Sequence, residues 1–158
     1  MIRSMPAALA ALLCGALGST TVGGQAPLPA PTSAAASTAP VQYVRVEGAD
    51  YMFHVSASIK AGLTVFNLVN TGRDLHAMTL LSLPAGRTMK QFLDVLNTTK
   101  KAPAWTPIVG ETSTIKPGAE AFVTARLKPG NYVLACLLSA ADGRTHTEVG
   151  MVQLVTAK

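Results

Sequence analysis

Leu127-Lys128-Pro129-Gly130-Asn131-Tyr132-Val133-Leu134-Ala135-Cys136 is the stretch on which the reading of this chain turns. Pro129-Gly130 is a turn signal, because proline presets φ and glycine accepts the conformations that side chains disfavour. The apolar residues Tyr132-Val133-Leu134-Ala135 after it read as a core strand that carries Cys136 at its end. The same grammar repeats on either side. Ala61-Gly62, Thr71-Gly72, Pro84-Ala85-Gly86, Pro117-Gly118 and Asp142-Gly143 punctuate strand-forming stretches at 43–46, 63–69, 119–127, 131–138 and 149–155. Their sum is an all-β antiparallel sandwich. One segment departs from it: Thr88 followed three residues later by Gln91 forms a capping box, and Met89, Phe92, Leu93 and Leu96 recur at helical spacing ahead of Lys100 and Lys101. A single short helix is expected there, packed on the sandwich.

The chain has 158 residues, of which 13% are charged and 49% hydrophobic, so most of it should fold as one domain with one core. Its net charge of +5 comes from single Lys and Arg residues scattered along the chain, and aromatics make up only 5%. A nucleic-acid partner would require a basic stripe and stacking residues, and none is expected.

Arg3 precedes an apolar run over residues 7–18, long enough for a signal-peptide core and too short to span a bilayer. Residues 1–26 read as a signal peptide, with Gly24-Gln25-Ala26 as a cleavage site and Gly18 as an alternative. Leu13 stands where lipidation of Cys14 would want a small residue. Residues 27–40, all Pro, Ala, Ser or Thr except Leu28, read as a linker, and 41–158 as the folded domain. The expected location is periplasmic or secreted, with no stable membrane span after signal removal. Cleavage would take Cys14 away and leave Cys136 without an internal disulfide partner, so its thiol needs burial, an intermolecular bridge or a ligand role.

His76, Cys136, His146 and Met151 supply that ligand role. One thiolate and two imidazoles suit copper in a trigonal plane, with a thioether as a long axial ligand. Soft sulfur favours Cu(I) and imidazole accepts Cu(II), so a site between the two suits single-electron transfer. His76 follows the turn Asn70-Thr71-Gly72, Cys136 ends a strand, and His146 and Met151 flank the entry to the last strand. Nine residues separate Cys136 from His146 and four separate His146 from Met151, so a loop turning at Asp142-Gly143 can bring three donors to one ion.

These features together resemble the cupredoxins, the small blue copper proteins related to plastocyanin and azurin. The resemblance covers about residues 46–155 and rests on Asn70-Thr71-Gly72 leading to His76, on 127–132 leading to Cys136, and on the order Cys136, His146, Met151. It implies a Greek-key β-sandwich, one type 1 copper ion, and an electron carrier with a protein redox partner and no enzymatic activity of its own. His76 would be the ligand from the separate loop, and the other three those of the ligand loop. The long interval between Cys136 and His146 is closer to that of copper nitrite reductases than of the smallest members, and Leu75 stands where a proline is common. The chain is too short for those enzymes.

Each residue also has an ordinary reading. Cys136 could be a buried small hydrophobe, Met151 core packing, and either histidine a satisfied core or loop residue. Met78 competes with Met151 for the axial position, and His54 reads as structural or surface. A nucleophilic Cys136-His146 pair is chemically conceivable but leaves His76 and Met151 unexplained. Copper storage or delivery by the same site, and a metal-free cupredoxin-like interaction domain, are the alternatives to a carrier. His146 is expected nearest solvent, rimmed by Leu75, Leu137, Leu138, Ala140 and Ala141, with Asn70 and Asp74 behind His76.

Overall fold

A computed structural model of the chain describes residues 40–158. The expected signal peptide and all but the last residue of the linker lie outside the described residues. Eight strands and one helix follow in the order β1 Gln42–Ala49, β2 Met52–Val55, β3 Gly62–Asn70, β4 Thr79–Leu83, α1 Met89–Thr99, β5 Ile108–Glu111, β6 Glu120–Leu127, β7 Gly130–Ala135 and β8 Val152–Ala157. They form two four-stranded sheets, β2-β1-β3-β6 and β5-β4-β7-β8. β1 and β3 run parallel and every other pair is antiparallel. The sandwich and its single helix are those the sequence leads one to expect.

The two sheets differ in what their outer faces meet. In β1, β3 and β6 buried residues alternate with half-buried or exposed ones, so that sheet covers the core on one side only. β7 is buried at every position from Tyr132 onward. Tyr132, Leu134 and Cys136 point between the sheets among Val44, Val46, Phe66 and Leu68, while Val133 and Ala135 face Phe92 and Leu96 of α1. A strand sandwiched on both faces loses polar alternation, which is why residues 132–135 read as a continuous apolar run.

β4 is built the same way: Leu80 turns to the main core, Leu81 and Leu83 to the helix. It therefore shows no alternation that would mark it as a strand in the sequence, and the edge strand β5, four residues long, is too short to show a period. Two boundaries also shift. β7 ends at Ala135, so residues 136–138 leave the ladder, and β8 begins at Val152 because Gly150, at φ +116°, ends a turn.

Local chemistry fixes the helix and the turn that started the reading. At Thr88 the Gln91 N–H donates to the threonine Oγ1 at 3.2 Å, and the Thr88 N–H donates to Gln91 Oε1 at 3.0 Å, closing the capping box. Lys100 ends the helix in a left-handed conformation, its N–H bonded to the Leu96 carbonyl at 2.7 Å. The Tyr132 hydroxyl donates to the Lys128 carbonyl and accepts from the Lys128 N–H, both at 2.9 Å, so the aromatic ring buckles the Pro129-Gly130 turn onto β7.

The end of β3 is held by one amide. Asn70 is 1% exposed, and its Nδ2 donates to the carbonyls of Asp74 at 2.7 Å and Ile115 at 3.1 Å. Its Oδ1 accepts from the Gly72 N–H at 2.9 Å. Beyond it, His76 and Ile115 exchange backbone hydrogen bonds of 3.0 and 2.8 Å. The loop before His76 is therefore wound around a single buried side chain.

Replacing Asn70 by Ala should cost about 2–3 kcal/mol in urea unfolding of the metal-free protein, since buried groups lose their partners. Thr88→Ala, which opens only the helix cap, should cost about 1 kcal/mol.

Candidate metal centre

Four elements deliver the donor set. His76 sits in the bridge to Ile115, Cys136 follows β7, His146 lies in the loop between β7 and β8, and Met151 directly precedes β8. The donor atoms of His76, Cys136 and His146 lie within 4.8 Å of one another. Cys136 Sγ is 3.4 Å from Nδ1 of His146, and the two imidazoles stand at 75° with centroids 5.3 Å apart. Cys136 is a free, buried cysteine.

Met151 joins them across Gly48. A Cβ placed on Gly48 would lie 3.3 Å from Met151 Cε and 3.6 Å from His76 Cδ2, so both side chains approach the same bare glycine. Met78, the competing thioether, is buried beside Leu80 in the main core, with its N–H bonded to Thr112 Oγ1 at 2.9 Å. His54 is exposed on β2 opposite Glu47, away from the centre.

The ligand loop is fastened by its own backbone. The His146 N–H donates to Leu138 O at 2.8 Å, Met151 N–H to His146 O at 2.8 Å, and Cys136 N–H to Met151 O at 3.1 Å. Cys136, His146 and Met151 thus hold one another in register. The additional length of the loop leaves this ring as a small hairpin, with a bridge between Ser139 and Thr145 and a turn at Asp142-Gly143 where Gly143 has φ +83°. Glu148 braces the return: it accepts from the Thr145 N–H at 2.7 Å and Thr145 Oγ1 at 2.9 Å, and it pairs with Lys100 at the end of α1. The Lys100 ammonium and the Thr145 donors together hold the Glu148 carboxyl down at about 2.

Electrostatics favour a metal-ready state. Burial pushes both imidazoles below the usual histidine range, and His146 pushes His76 further, so both are neutral near neutral pH. Burial also pushes the Cys136 thiol up, against hydrogen bonds from the backbone N–H groups of Ala77 and Leu138. Both ring nitrogens of His76 are buried without a hydrogen-bond partner, a costly arrangement that a bound ion at one nitrogen would relieve. A Cβ on Gly72 would fall 2.8 Å from His76 Nε2 and 2.5 Å from Asp50 Oδ1, so only glycine fits there. These residues fit a thiolate-imidazole metal site.

One expectation about the surroundings needs correction. Leu137 is not on the rim: the strand parity that turns Cys136 inward turns Leu137 toward α1, where it packs with Val133 and Ala135. His146 is, as expected, the candidate ligand nearest solvent, at 2% exposed against 0% for His76, Cys136 and Met151. It forms the floor of a depression of about 230 Å³, with Leu75, Leu138, Ala140, Ala141 and Asp74 around it. Neither Asn70 nor Asp74 bonds to the His76 ring: Asn70 anchors the loop before it, and Asp74 accepts from the Tyr51 hydroxyl. Gly72 belongs to the turn that the sequence places before His76, and Ala77 adjoins that histidine, whereas Gly48 and Tyr51 carry no sequence signal for their place at the site.

No protein-family model and no curated protein sequence matches the chain. Solved structures do. Auracyanin B superposes with a TM-score of 0.53 at 22% identity, over 74% of this chain and 88% of that one. Auracyanin A, a "blue" copper protein from the green thermophilic photosynthetic bacterium Chloroflexus aurantiacus, gives 0.55 at 14% identity over 75% and 100%. An azurin from the obligate methylotroph Methylomonas sp. strain J gives 0.50 at 14% identity over 74% and 98%. Auracyanin and azurin are cupredoxins. The chain has the cupredoxin fold, with His76, Cys136, His146 and Met151 arranged for one metal site at the junction of its two sheets and ligand loop.

Proposed function

We propose that this chain is an exported type 1 copper protein that carries single electrons, with His76, Cys136, His146 and Met151 as ligands. The observation that supports it most directly is a buried thiol 3.4 Å from Nδ1 of His146, beside a His76 ring whose nitrogens have no other partner. Bound there, copper would supply a Cu(II)/Cu(I) couple. Cys136 would provide the thiolate, which the Ala77 and Leu138 N–H groups would stabilise. His76 and His146 would bring neutral nitrogen, and Met151 a thioether. The backbone ring through Leu138, His146, Met151 and Cys136 holds these donors in one arrangement, so little needs to move when charge changes.

A carrier reading also suits the surface over His146. A depression of about 230 Å³ rimmed by Leu75, Leu138, Ala140 and Ala141 is a place for a protein redox partner to dock, and smaller than the clefts that enclose substrates. Export rests on Arg3 and the apolar run after it. Burial and metal ligation would shield Cys136 in an oxidising compartment. Among the described residues no helix is long and apolar enough to cross a membrane.

Titrating the metal-free protein with Cu(II) and following visible absorption tests this. One intense band toward the red should saturate at about one ion per chain. Cys136→Ser should abolish that band, while Met151→Leu should keep copper and shift the reduction potential. Because burial holds the thiol protonated until metal arrives, uptake should release about one proton, and affinity should rise with pH up to the thiol's own titration. A colourless product, or a band unchanged in Cys136→Ser, would refute the assignment. Transfer of copper to a chelator on reduction would indicate delivery instead.

A further inference from the structure

His146 sits on a loop at the base of a surface depression and is nevertheless 2% exposed. The residue that covers its other side is Tyr51, in the two-residue turn between β1 and β2. Its ring stands edge-on to the imidazole at 80°, with centroids 5.1 Å apart. The Tyr51 hydroxyl donates to Asp74 Oδ2 at 2.7 Å, and Asp74 lies two residues before His76 on the rim of the depression. We infer that Tyr51 is a positioning residue for His146: its ring seals the imidazole from water, and its hydroxyl ties that seal to the loop carrying His76. The significance of this for copper rests on the reading above; the packing itself does not.

Three further contacts place the same turn against the ligand segments. Asp50 Oδ1 accepts from the Arg73 N–H at 2.6 Å, and Asp50 Oδ2 pairs with Arg73 Nε at 2.8 Å, so the turn is latched to the His76 loop twice more. The Tyr51 carbonyl lies 3.3 Å from the point where Gly150, next to Met151, would carry a Cβ. Tyr51 thus touches the approaches to His76, His146 and Met151 together. Its backbone has φ +64°, a left-handed conformation that suits glycine or asparagine and disfavours a bulky ring. The contacts of the side chain with His146 and Asp74 offset that preference. T-shaped packing of this kind orients a ring as well as covering it.

The chain contains three histidines in distinct settings, which allows a test without metal. The metal-free full chain is treated with diethyl pyrocarbonate, and acylation of each histidine is followed by mass spectrometry. In the wild type, exposed His54 should react quickly while His76 and His146 stay protected. Tyr51→Gly removes the ring and accepts the left-handed backbone; it should raise labelling of His146 about tenfold or more and leave His76 protected. Tyr51→Phe keeps the ring and should keep His146 protected. Loaded with copper, Tyr51→Gly should lose the metal to a chelator faster than wild type. Continued protection of His146 in Tyr51→Gly would overturn the assignment, and so would equal labelling of His76 and His146, which would make Tyr51 a general support of the fold. If the wild type takes up no copper, the carrier reading falls while the labelling pattern still decides the role of Tyr51.

Discussion

The centre depends on three backbone hydrogen bonds that close the ligand loop on itself: His146 to Leu138, Met151 to His146, and Cys136 to Met151. Without them, donors on a flexible loop would have to be collected by the ion at the expense of chain entropy. With them, Cys136, His146 and Met151 share one rigid frame, and only His76 must be brought from elsewhere. Asn70 does that by binding Gly72, Asp74 and Ile115 with one amide, while Ile115 grips the His76 backbone. The frame and the anchor are each fixed by hydrogen bonds within the chain, so the placement of the four side chains follows from the protein's own backbone.

Such preorganisation has an energetic cost that shows in the same residues. A buried imidazole with two unpartnered nitrogens and a desolvated thiol are both unfavourable in the metal-free chain. The surrounding sandwich makes this tolerable. Cys136 is fed by β7, a central strand packed on the opposite sheet through Tyr132 and Leu134 and on α1 through Val133 and Ala135. Displacing the thiol would mean disturbing both layers. The unfavourable polar groups are thus confined to the point where cation binding can offset them.

Much of this was legible because each pattern has a local cause. The capping box at Thr88, the turn at Pro129-Gly130 and the Cys136, His146, Met151 spacing each follow from a few adjacent residues. β4 was hidden because burial on both faces removes alternation, leaving Thr79-Leu80-Leu81-Ser82-Leu83 with no period to read. Leu137 was misplaced on the rim for want of one step, carrying the inward parity of Cys136 forward by one residue. Tyr51 lies 95 residues from His146, and nothing in its neighbourhood signals their contact; burial of His146 is a tertiary fact. The same holds for Gly48 and Gly72, whose bare backbones matter only because Met151, His76 and Asp50 approach them.

The length of the interval between Cys136 and His146 illustrates how the fold separates what may vary from what may not. Residues 139–145 turn outward and pair with each other at Ser139 and Thr145, while the bond from His146 to Leu138 spans the base of that excursion. Residues 140–144 lie beyond both this bond and the Thr145-Glu148 brace, so the hairpin tip and the rim made by Ala140 and Ala141 are set apart from the donor frame. Loop length in this chain therefore shapes the surface a partner would meet, whereas ligand geometry is set below it, where Lys100 and Glu148 tie the returning strand to the helix. If the chain carries electrons as proposed, docking and redox tuning could be altered separately, because the Ser139-Thr145 bridge and the Leu138-His146 bond are distinct.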